Sequence, residues 1–217
     1  MKCPFIIILS IFFFVSFERT FAQKQNEDSL AITKQKAIID FLHISPQDNI
    51  VDIGTGGGNN LIPVTNQYPL MRFTAEDIDS NVCNKKNLLK TINRLGNKTS
   101  IKNFSVQYGD EKSTKLPAAG FSKILAFDVI HEMTYRSEML NDFKRILLNN
   151  GAVYIEEILV HKKVKKDRVC NYPYLTEQEL KKLLADNHYS IKKEQVVYDT
   201  GVNKYIKIFE CVPEKTG

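Results

Sequence analysis

The sequence predicts an α/β domain whose doubly wound, mostly parallel seven-stranded sheet ends in an antiparallel hairpin. Three observations predict it. Short β-branched runs alternate with helical segments of about ten or more residues, a glycine-rich stretch follows the first run, and the last two runs are joined by a very short connection. Such alternation is typical of parallel strands joined by crossover helices that cover both faces of the sheet.

The first 22 residues differ in composition from the rest of the chain. An almost unbroken apolar run extends from Phe5 to Phe17, and small residues precede position 23, as at a signal-peptidase site. The run holds about 13 residues, whereas a transmembrane helix needs about 20. We therefore predict a signal peptide over residues 1–22 and an exported protein, periplasmic or secreted, with a membrane anchor as the alternative. A polar linker over 23–29 and a globular domain over 30–217 should follow.

Composition and charge are those of one globular domain. Of the 217 residues, 43% are hydrophobic and 25% are charged, which is ample for a single core. The net charge of +5 is modest, and acidic and basic residues alternate along most of the chain, so the charge does not predict a nucleic-acid partner. Cys83, Cys170 and Cys211 are far apart in sequence and form no CxxC pair, so we expect no metal site.

Helix boundaries follow from apolar periodicity and from capping residues. The apolar residues of Ala31–Leu42 fall on one helical face, which predicts an amphipathic helix before the first strand. Asp79 and Ser80 are predicted to cap a helix that Gly96 ends. Residues 176–179 read Thr-Glu-Gln-Glu and predict a helix that begins with a capping box.

Strands are indicated by short runs of β-branched and aromatic residues. The connection Asp199–Asn203 is too short for a crossover helix, so the last two strands should form an antiparallel hairpin. The predicted strands are Asn49–Ile53, Phe73–Ile78, Ser105–Tyr108, Ile124–Phe127, Ala152–Ile155, Ile191–Tyr198 and Tyr205–Val212.

The strongest functional signal is the stretch Val51-Asp-Ile-Gly-Thr-Gly-Gly-Gly-Asn-Asn60, in which an apolar strand breaks into four glycines before a helix that begins near Leu61. Glycine permits a positive φ and removes the side chain that would keep a ligand away from the backbone, and a helix start offers unpaired N–H groups. The dinucleotide pattern GxGxxG would need a third glycine where Asn59 stands, which weakens the prediction of a nicotinamide cofactor.

This stretch resembles the first motif of class I S-adenosylmethionine-dependent methyltransferases, an acidic residue followed by GxGxG. The resemblance continues to Asp77, where the family places the carboxylate that binds both ribose hydroxyls, with Glu76 as the reserve, and to Asp110, where it places an acidic side chain against adenine. It covers about residues 31–212 and implies a Rossmann-like domain with S-adenosyl-L-methionine as cofactor. The implied cofactor-binding residues are Asp52, Gly54, Thr55, Gly56, Gly58, Asp77, Ile78, Asp110, Glu111 and Asp128.

Phe121–Glu132 resembles the fourth strand of that family and the loop after it, where ligands of open α/β sheets bind. Leu147–Gly151 resembles the turn before the fifth strand of the family, so a turn is predicted there. His131 and Glu132 are the candidate catalytic residues, because either could remove a proton from a hydroxyl or amine acceptor; a base is optional, since orientation supplies much of the acceleration. A tyrosine stands where the zinc motif HExxH needs its second histidine, so the sequence does not predict a zinc-dependent hydrolase. Of Glu156 and Glu157, at most one can face the ligand, because adjacent strand residues point opposite ways.

The resemblance implies a small-molecule acceptor, which the sequence does not identify. Two other functions stay open. One is an exported nucleoside-binding or non-catalytic domain with the same fold, since the cofactor is made in the cytosol whereas the N-terminal segment predicts export. The other is a nicotinamide-dependent oxidoreductase. A basic segment after the fifth strand is a solvated loop or a weak contact for an anionic surface; its lysines are Lys162, Lys163, Lys165 and Lys166.

Overall fold

The computed structural model describes residues 32–163, 170–199 and 201–214. The predicted signal peptide and linker lie outside the described residues, as do Lys165 and Lys166 of the basic segment. No helix within the described part of the chain is long and apolar enough to cross a membrane.

The chain divides into two compact units, Met1–Phe41 and Leu42–Gly217. The described residues of the first unit are helical; they belong to helix α1, which covers residues 32–42 in agreement with the amphipathic pattern. The second unit holds the sheet and the site described below.

The second unit is built on one sheet of seven strands in the order β3-β2-β1-β4-β5-β7-β6. Strands β1 to β5 run parallel, and β7 lies antiparallel between β5 and β6. The predicted mostly parallel sheet with a C-terminal hairpin is confirmed. The strands are β1 (Ile50–Ile53), β2 (Phe73–Asp77), β3 (Phe104–Tyr108), β4 (Phe121–Phe127), β5 (Leu147–Val160), β6 (Tyr189–Asp199) and β7 (Lys204–Pro213).

Helix ends are set by local hydrogen bonds. The capping box is confirmed, because the Thr176 hydroxyl accepts the Glu179 N–H and the Glu179 carboxylate accepts the Thr176 N–H. The predicted cap at Asp79 and Ser80 is wrong, because the Asp79 carboxylate closes a turn of its own and the side chain of Asn84 caps the helix instead. The helices are α2 (Leu61–Thr65), α3 (Lys85–Arg94), α4 (Arg136–Ile146) and α5 (Glu177–Asp186).

The hydrophobic core is formed by the sheet and by the apolar faces of its helices. All four residues of β1 are buried, as expected of a strand covered on both faces of the sheet. In α4, Met139, Leu140, Phe143 and Ile146 recur at helical spacing and are buried in this core. Burial of these residues fixes the position of the strand ends that carry the site.

Strand β5 begins earlier than the sequence predicts. The turn predicted over Leu147–Gly151 is wrong, because Leu147 already pairs with Phe121 and the strand continues to Val160. The register shifts between Phe121 and Lys123, so the additional residues of β5 form a bulge. A Cβ on Gly151 would lie 2.8 Å from the Leu147 side chain, so close packing inside the bulge requires glycine there.

The strand order reverses at β1. From β1 the chain proceeds outward through β2 and β3, and it then returns to the other side of β1 to form β4. Helices that follow such a reversal leave in opposite directions, and a crevice opens beyond the carboxyl ends of the two central strands. The topology therefore places a ligand site at the ends of β1 and β4.

Candidate active site

A cavity of about 400 Å³ lies beyond the carboxyl ends of β1, β2 and β4, in the crevice that the topology predicts. It brings together many of the residues singled out in the sequence, but not all of them. Those that line it are Gly54, Gly56, Asp77, Ile78, Glu111, Asp128 and Glu132. Those placed behind or beside its wall are Asp52, Thr55, Gly58, Asp110 and His131.

The loop after β1 adopts a conformation that suits glycine. Gly54, Gly56 and Gly58 have φ values of +68°, +54° and +83°. A Cβ on Gly54 would lie 2.3 Å from Val129 Cγ2, and one on Gly58 would lie 2.7 Å from Leu88 Cδ2, so these two glycines serve packing. Gly56 differs, because the nearest atom to its Cβ would be 3.9 Å away. Its backbone is therefore open to a ligand.

Asp77 connects this loop to the end of β2. Its Oδ2 accepts the Gly56 N–H at 2.8 Å, and its Oδ1 accepts the Asp79 N–H at 2.9 Å. Both oxygens keep further acceptor capacity, because a carboxylate offers about four lone-pair directions. The side chain faces the cavity, as the reading of Asp77 as the ribose-binding residue requires.

Two further carboxylates are buried beside Asp77. Burial and the charge of Asp77 raise the pKa of Glu76 to about 8, and its Oε1 has no hydrogen-bond partner among the described residues. Burial likewise raises the pKa of Asp52 to about 7, although a hydrogen bond with Thr55 lowers it in part. Glu76 reaches the cavity, whereas Asp52 is 2% exposed and does not. Asp52 therefore supports the loop from behind.

In the turn after β3, only one of the two predicted residues Asp110 and Glu111 lines the cavity. The Asp110 carboxylate accepts the N–H groups of Lys112 and Ser113 and pairs with Lys115 at 2.7 Å, a contact that leads the lowering of its pKa. It is exposed and does not line the cavity. Its neighbour Glu111 does, so the acidic side chain at this wall is Glu111.

His131 is buried in the loop between β4 and α4 and faces β5. Its Nδ1 lies 2.9 Å from Glu157 Oε2, while Glu157 Oε1 accepts the N–H groups of Ile130 and His131 at 2.6 and 3.3 Å. Arg136 donates to the carbonyls of the same two residues. Both the donors and the acceptors of this turn are thus occupied, which fixes its conformation.

The charges around His131 determine its protonation. Burial by itself lowers the pKa of the imidazole, but the hydrogen bond that Nδ1 donates to Glu157 and the charges of Glu157, Asp128 and Glu132 outweigh burial, so the pKa is raised. Because a carboxylate accepts the Nδ1 hydrogen, the neutral ring presents a lone pair at Nε2. His131 is therefore a stronger base than a free imidazole.

The Nε2 side of His131 faces two groups. Cys170 Sγ is 3.3 Å away, and Glu132 Oε1 is 3.8 Å away. Glu132 lines the cavity and His131 does not, so Glu132 stands between the imidazole and the cavity. Asp128 begins this loop with a φ of +56°, a left-handed conformation that is uncommon for aspartate and that recurs at functional sites.

Sequence reasoning missed three parts of the site. Glu157 was one of two adjacent glutamates just after the predicted fifth strand, and the alternation rule correctly allowed only one of them to face the ligand side. Cys170 gave no signal, because its partner is 39 residues away. Most of the apolar wall also went unrecognised, namely Val82, Val129, Met133 and Met139; Tyr172, which also lines the cavity, was the one member that the sequence suggested, as a residue that either lines the acceptor pocket or packs.

The basic segment is only partly described. Lys162 and Lys163 are exposed, and Lys163 forms an ion pair with Glu179 of α5. The weak contact of this segment with an anionic surface therefore stays a prediction.

Comparison with known proteins found a family match. The model of the O-methyltransferase domain family matches residues 15–182. No curated protein matches the chain in sequence.

Solved structures of low sequence identity share the fold. A SAM-dependent methyltransferase from Aquifex aeolicus is 18% identical with a TM-score of 0.62, over 82% of this chain and 89% of that one. The mitomycin 7-O-methyltransferase MmcR is 16% identical with a TM-score of 0.61, over 90% of this chain and 57% of that one. Geranyl diphosphate C-methyltransferase from Streptomyces coelicolor, solved with S-adenosyl-L-homocysteine, is 11% identical with a TM-score of 0.61, over 81% of this chain and 78% of that one.

Proposed function

Because this chain belongs to the O-methyltransferase domain family, we propose that it transfers a methyl group from S-adenosylmethionine to an oxygen atom of a small molecule. Methyl transfer and the cofactor are properties of the family; the small-molecule oxygen acceptor is the proposal. One observation supports it most strongly. A single cavity joins the glycine loop and Asp77 on one side to Glu132, backed by His131, on the other.

The residues at the cavity fit this cofactor. The open backbone at Gly56 allows the close approach of a ligand, and the Asp77 carboxylate can accept hydrogen bonds from both hydroxyls of a ribose. Glu76, buried beside them, has an Oε1 without a hydrogen-bond partner among the described residues and offers a further polar group to a ligand. These groups match the vicinal diol and the amino groups that the cofactor carries.

We infer two groups among the predicted cofactor residues. The first forms the wall that the cofactor touches: Gly54, Gly56, Asp77, Ile78, Glu111 and Asp128. The second holds that wall in place: Asp52, Thr55, Gly58 and Asp110. The Thr55 N–H, for example, donates to the Glu76 carbonyl at 3.0 Å and thereby ties the glycine loop to β2.

The acceptor half of the cavity is more apolar. Val129, Met133, Met139 and Tyr172 contribute apolar surface, and Glu132 contributes a carboxylate. Such a wall suits a small molecule with an apolar body and a hydroxyl group, because pockets for small ligands combine apolar walls with a few polar groups that fix orientation.

The chain's own chemical task is orientation and removal of one proton. When bound, S-adenosylmethionine supplies a methyl group on a sulfonium whose leaving group is a neutral thioether. The walls of the cavity hold the acceptor oxygen in line, which supplies much of the acceleration. Glu132 at the wall and His131 behind it receive the proton that the hydroxyl releases, and Glu157 stabilises the imidazolium.

Export of this enzyme remains our proposal from the composition of residues 1–22. It requires that the cofactor be supplied outside the cytosol. Cell fractionation together with the mass of the processed protein tests it: a shortened protein in the exported fraction supports a signal peptide, whereas a full-length protein in the membrane fraction supports the anchor.

Isothermal titration of the full-length chain with S-adenosylmethionine, with NAD as the comparison ligand, tests the cofactor. Saturable binding of the first alone is expected, and preferential binding of NAD would contradict the proposal. Formation of S-adenosyl-L-homocysteine is then measured with a panel of hydroxylated small molecules and with matched panels in which amine or thiol replaces hydroxyl. Turnover confined to amines or thiols would overturn oxygen as the acceptor atom.

A further inference from the structure

We propose that His131, Glu132 and Cys170 form a binding site for a zinc-type divalent cation at the edge of the cavity. The sequence offered no sign of it, because the thiol comes from a segment far along the chain from the other two ligands. The site does not depend on the proposed function; only its expected effect on turnover does.

The three donor atoms lie close to the separations of a metal site. His131 Nε2 is 3.3 Å from Cys170 Sγ and 3.8 Å from Glu132 Oε1, and all three donor atoms lie within 4.8 Å of one another. Tetrahedral zinc with ordinary Zn–S, Zn–N and Zn–O bonds separates such atoms by about 3.4 to 3.6 Å. Small side-chain adjustments would bring the three atoms onto one cation.

The surroundings hold the histidine as metal sites do. Glu157 is fully buried and accepts the Nδ1 hydrogen at 2.9 Å, which leaves the Nε2 lone pair directed at Cys170 and Glu132. A carboxylate behind a ligating histidine is the usual second layer of a zinc site, because it fixes the tautomer and orients the ring. A second acidic cluster, Asp128, His131 and Glu157, would use Nδ1 and would have to break that hydrogen bond.

The mixed donor set selects the metal. A thiolate, an imidazole and one carboxylate suit Zn²⁺, whereas Mg²⁺ and Ca²⁺ prefer sites made of oxygen atoms. Three protein ligands leave one position of a tetrahedral cation open. Because Glu132 lines the cavity, the cation would lie at the edge of the cavity. A solvent molecule or the oxygen of an acceptor can occupy the open position.

Metal binding and proton acceptance use the same atom. Imidazole Nε2 has one lone pair, so a bound cation prevents His131 from receiving a proton. If the enzyme uses the proposed base, Zn²⁺ should therefore reduce methyl transfer, and removal of the metal with a chelator should restore it.

Titration of the reduced full-length chain with Co²⁺ and Zn²⁺ tests the site. We expect one equivalent of Co²⁺ to produce a thiolate-to-cobalt charge-transfer band that Zn²⁺ abolishes. Cys170→Ser should eliminate the band, and His131→Gln should weaken metal binding by more than about 100-fold; Glu157→Gln should weaken it by about 10- to 100-fold through the second layer. Cys3→Ser, which leaves the three ligands intact, is the matched control and should retain the band.

Absence of saturable binding by the unmodified chain would overturn the proposal, as would a band that survives in Cys170→Ser or disappears in Cys3→Ser. Circular dichroism establishes that each variant is folded. Binding of S-adenosylmethionine is measured on the same samples, so that a missing metal site and a wrong cofactor assignment give different results.

Discussion

On the β1–β2 side of the cavity, buried carboxylates lie close to one another, whereas on the β4–β5 side a buried carboxylate faces an imidazole. Repulsion by Asp77 adds to burial in raising the pKa values of Asp52 and Glu76. Burial also raises the pKa of Glu157, but its hydrogen bond with His131 and the charge of the imidazole oppose that rise, and the carboxylate accepts two backbone N–H groups. The β1–β2 side can therefore accept hydrogen bonds from a ligand, and the β4–β5 side can hold a proton on its imidazole.

The largest expected effect is on the β4–β5 side. Glu157→Gln should lower turnover by about 10²- to 10⁴-fold, the usual contribution of general base catalysis, because an amide donates to Nδ1 and moves the ring hydrogen to Nε2. Cofactor affinity should stay the same. Turnover on an identified acceptor and ¹⁵N spectra of the imidazole measure the two effects. Glu138→Gln, at an exposed position of α4, is the matched control, and equal turnover in the two variants would contradict the role of Glu157.

The two sides touch where Gly54 meets Val129. Gly54→Ala should lower the free energy of unfolding by about 2 to 4 kcal/mol, since it combines a positive φ with a Cβ only 2.3 Å from Val129 Cγ2. In the same loop, an added Cβ on Gly57 would have no neighbour within 4 Å, so Gly57→Ala should have little effect. Urea unfolding compares the two variants. Similar losses would show that the contact between the two sides is not tightly packed.

On the β1–β2 side, Asp77→Ala should weaken binding of S-adenosylmethionine by about 1.5 to 3 kcal/mol, the scale of hydrogen bonds to a charged group. Isothermal titration measures it. Asp186→Ala, which removes an exposed carboxylate of α5, should leave affinity unchanged. If Asp77→Ala binds normally while Glu76→Gln does not, the ribose contact belongs to Glu76, the reserve assignment.

The smallest expected effect is on stability as a function of pH. Burial raises the pKa of Asp52 to about 7 in the folded protein, above its ordinary value of 3.8, so the folded state binds that proton more tightly than the unfolded state does. Stability should therefore fall as pH rises from about 4 to about 7. Asp52→Asn should stabilise the protein by about 1 to 2 kcal/mol at pH 8 and by less at pH 5. Parallel pH profiles for the two proteins would exclude Asp52 as the titrating group.

The elements that local pattern predicted well were those with a local cause. The alternation of strands and helices indicated the sheet, the short connection after β6 indicated the hairpin, and Thr176 indicated its helix cap. Two local predictions, the cap of α3 and the turn before β5, were wrong because the sequence pattern does not reveal the turn or the bulge that lies there. Asn84, and not Asp79, caps α3, because a turn lies between Asp79 and the start of the helix. The residues of the predicted turn before β5 form a bulge of that strand.

The sequence by itself determined the β1–β2 side of the cavity, because the strand, the glycine loop and the acidic strand end that build it follow one another along the chain. Only the tertiary structure decided the other side. Glu157 and Cys170 are 26 and 39 residues from His131. Glu157 meets it because β5 pairs with β4, and Cys170 meets it near the point where Leu175 pairs with Leu159 of β5. Side chains that approach one another through strand pairing leave no spacing in the sequence by which to recognise them.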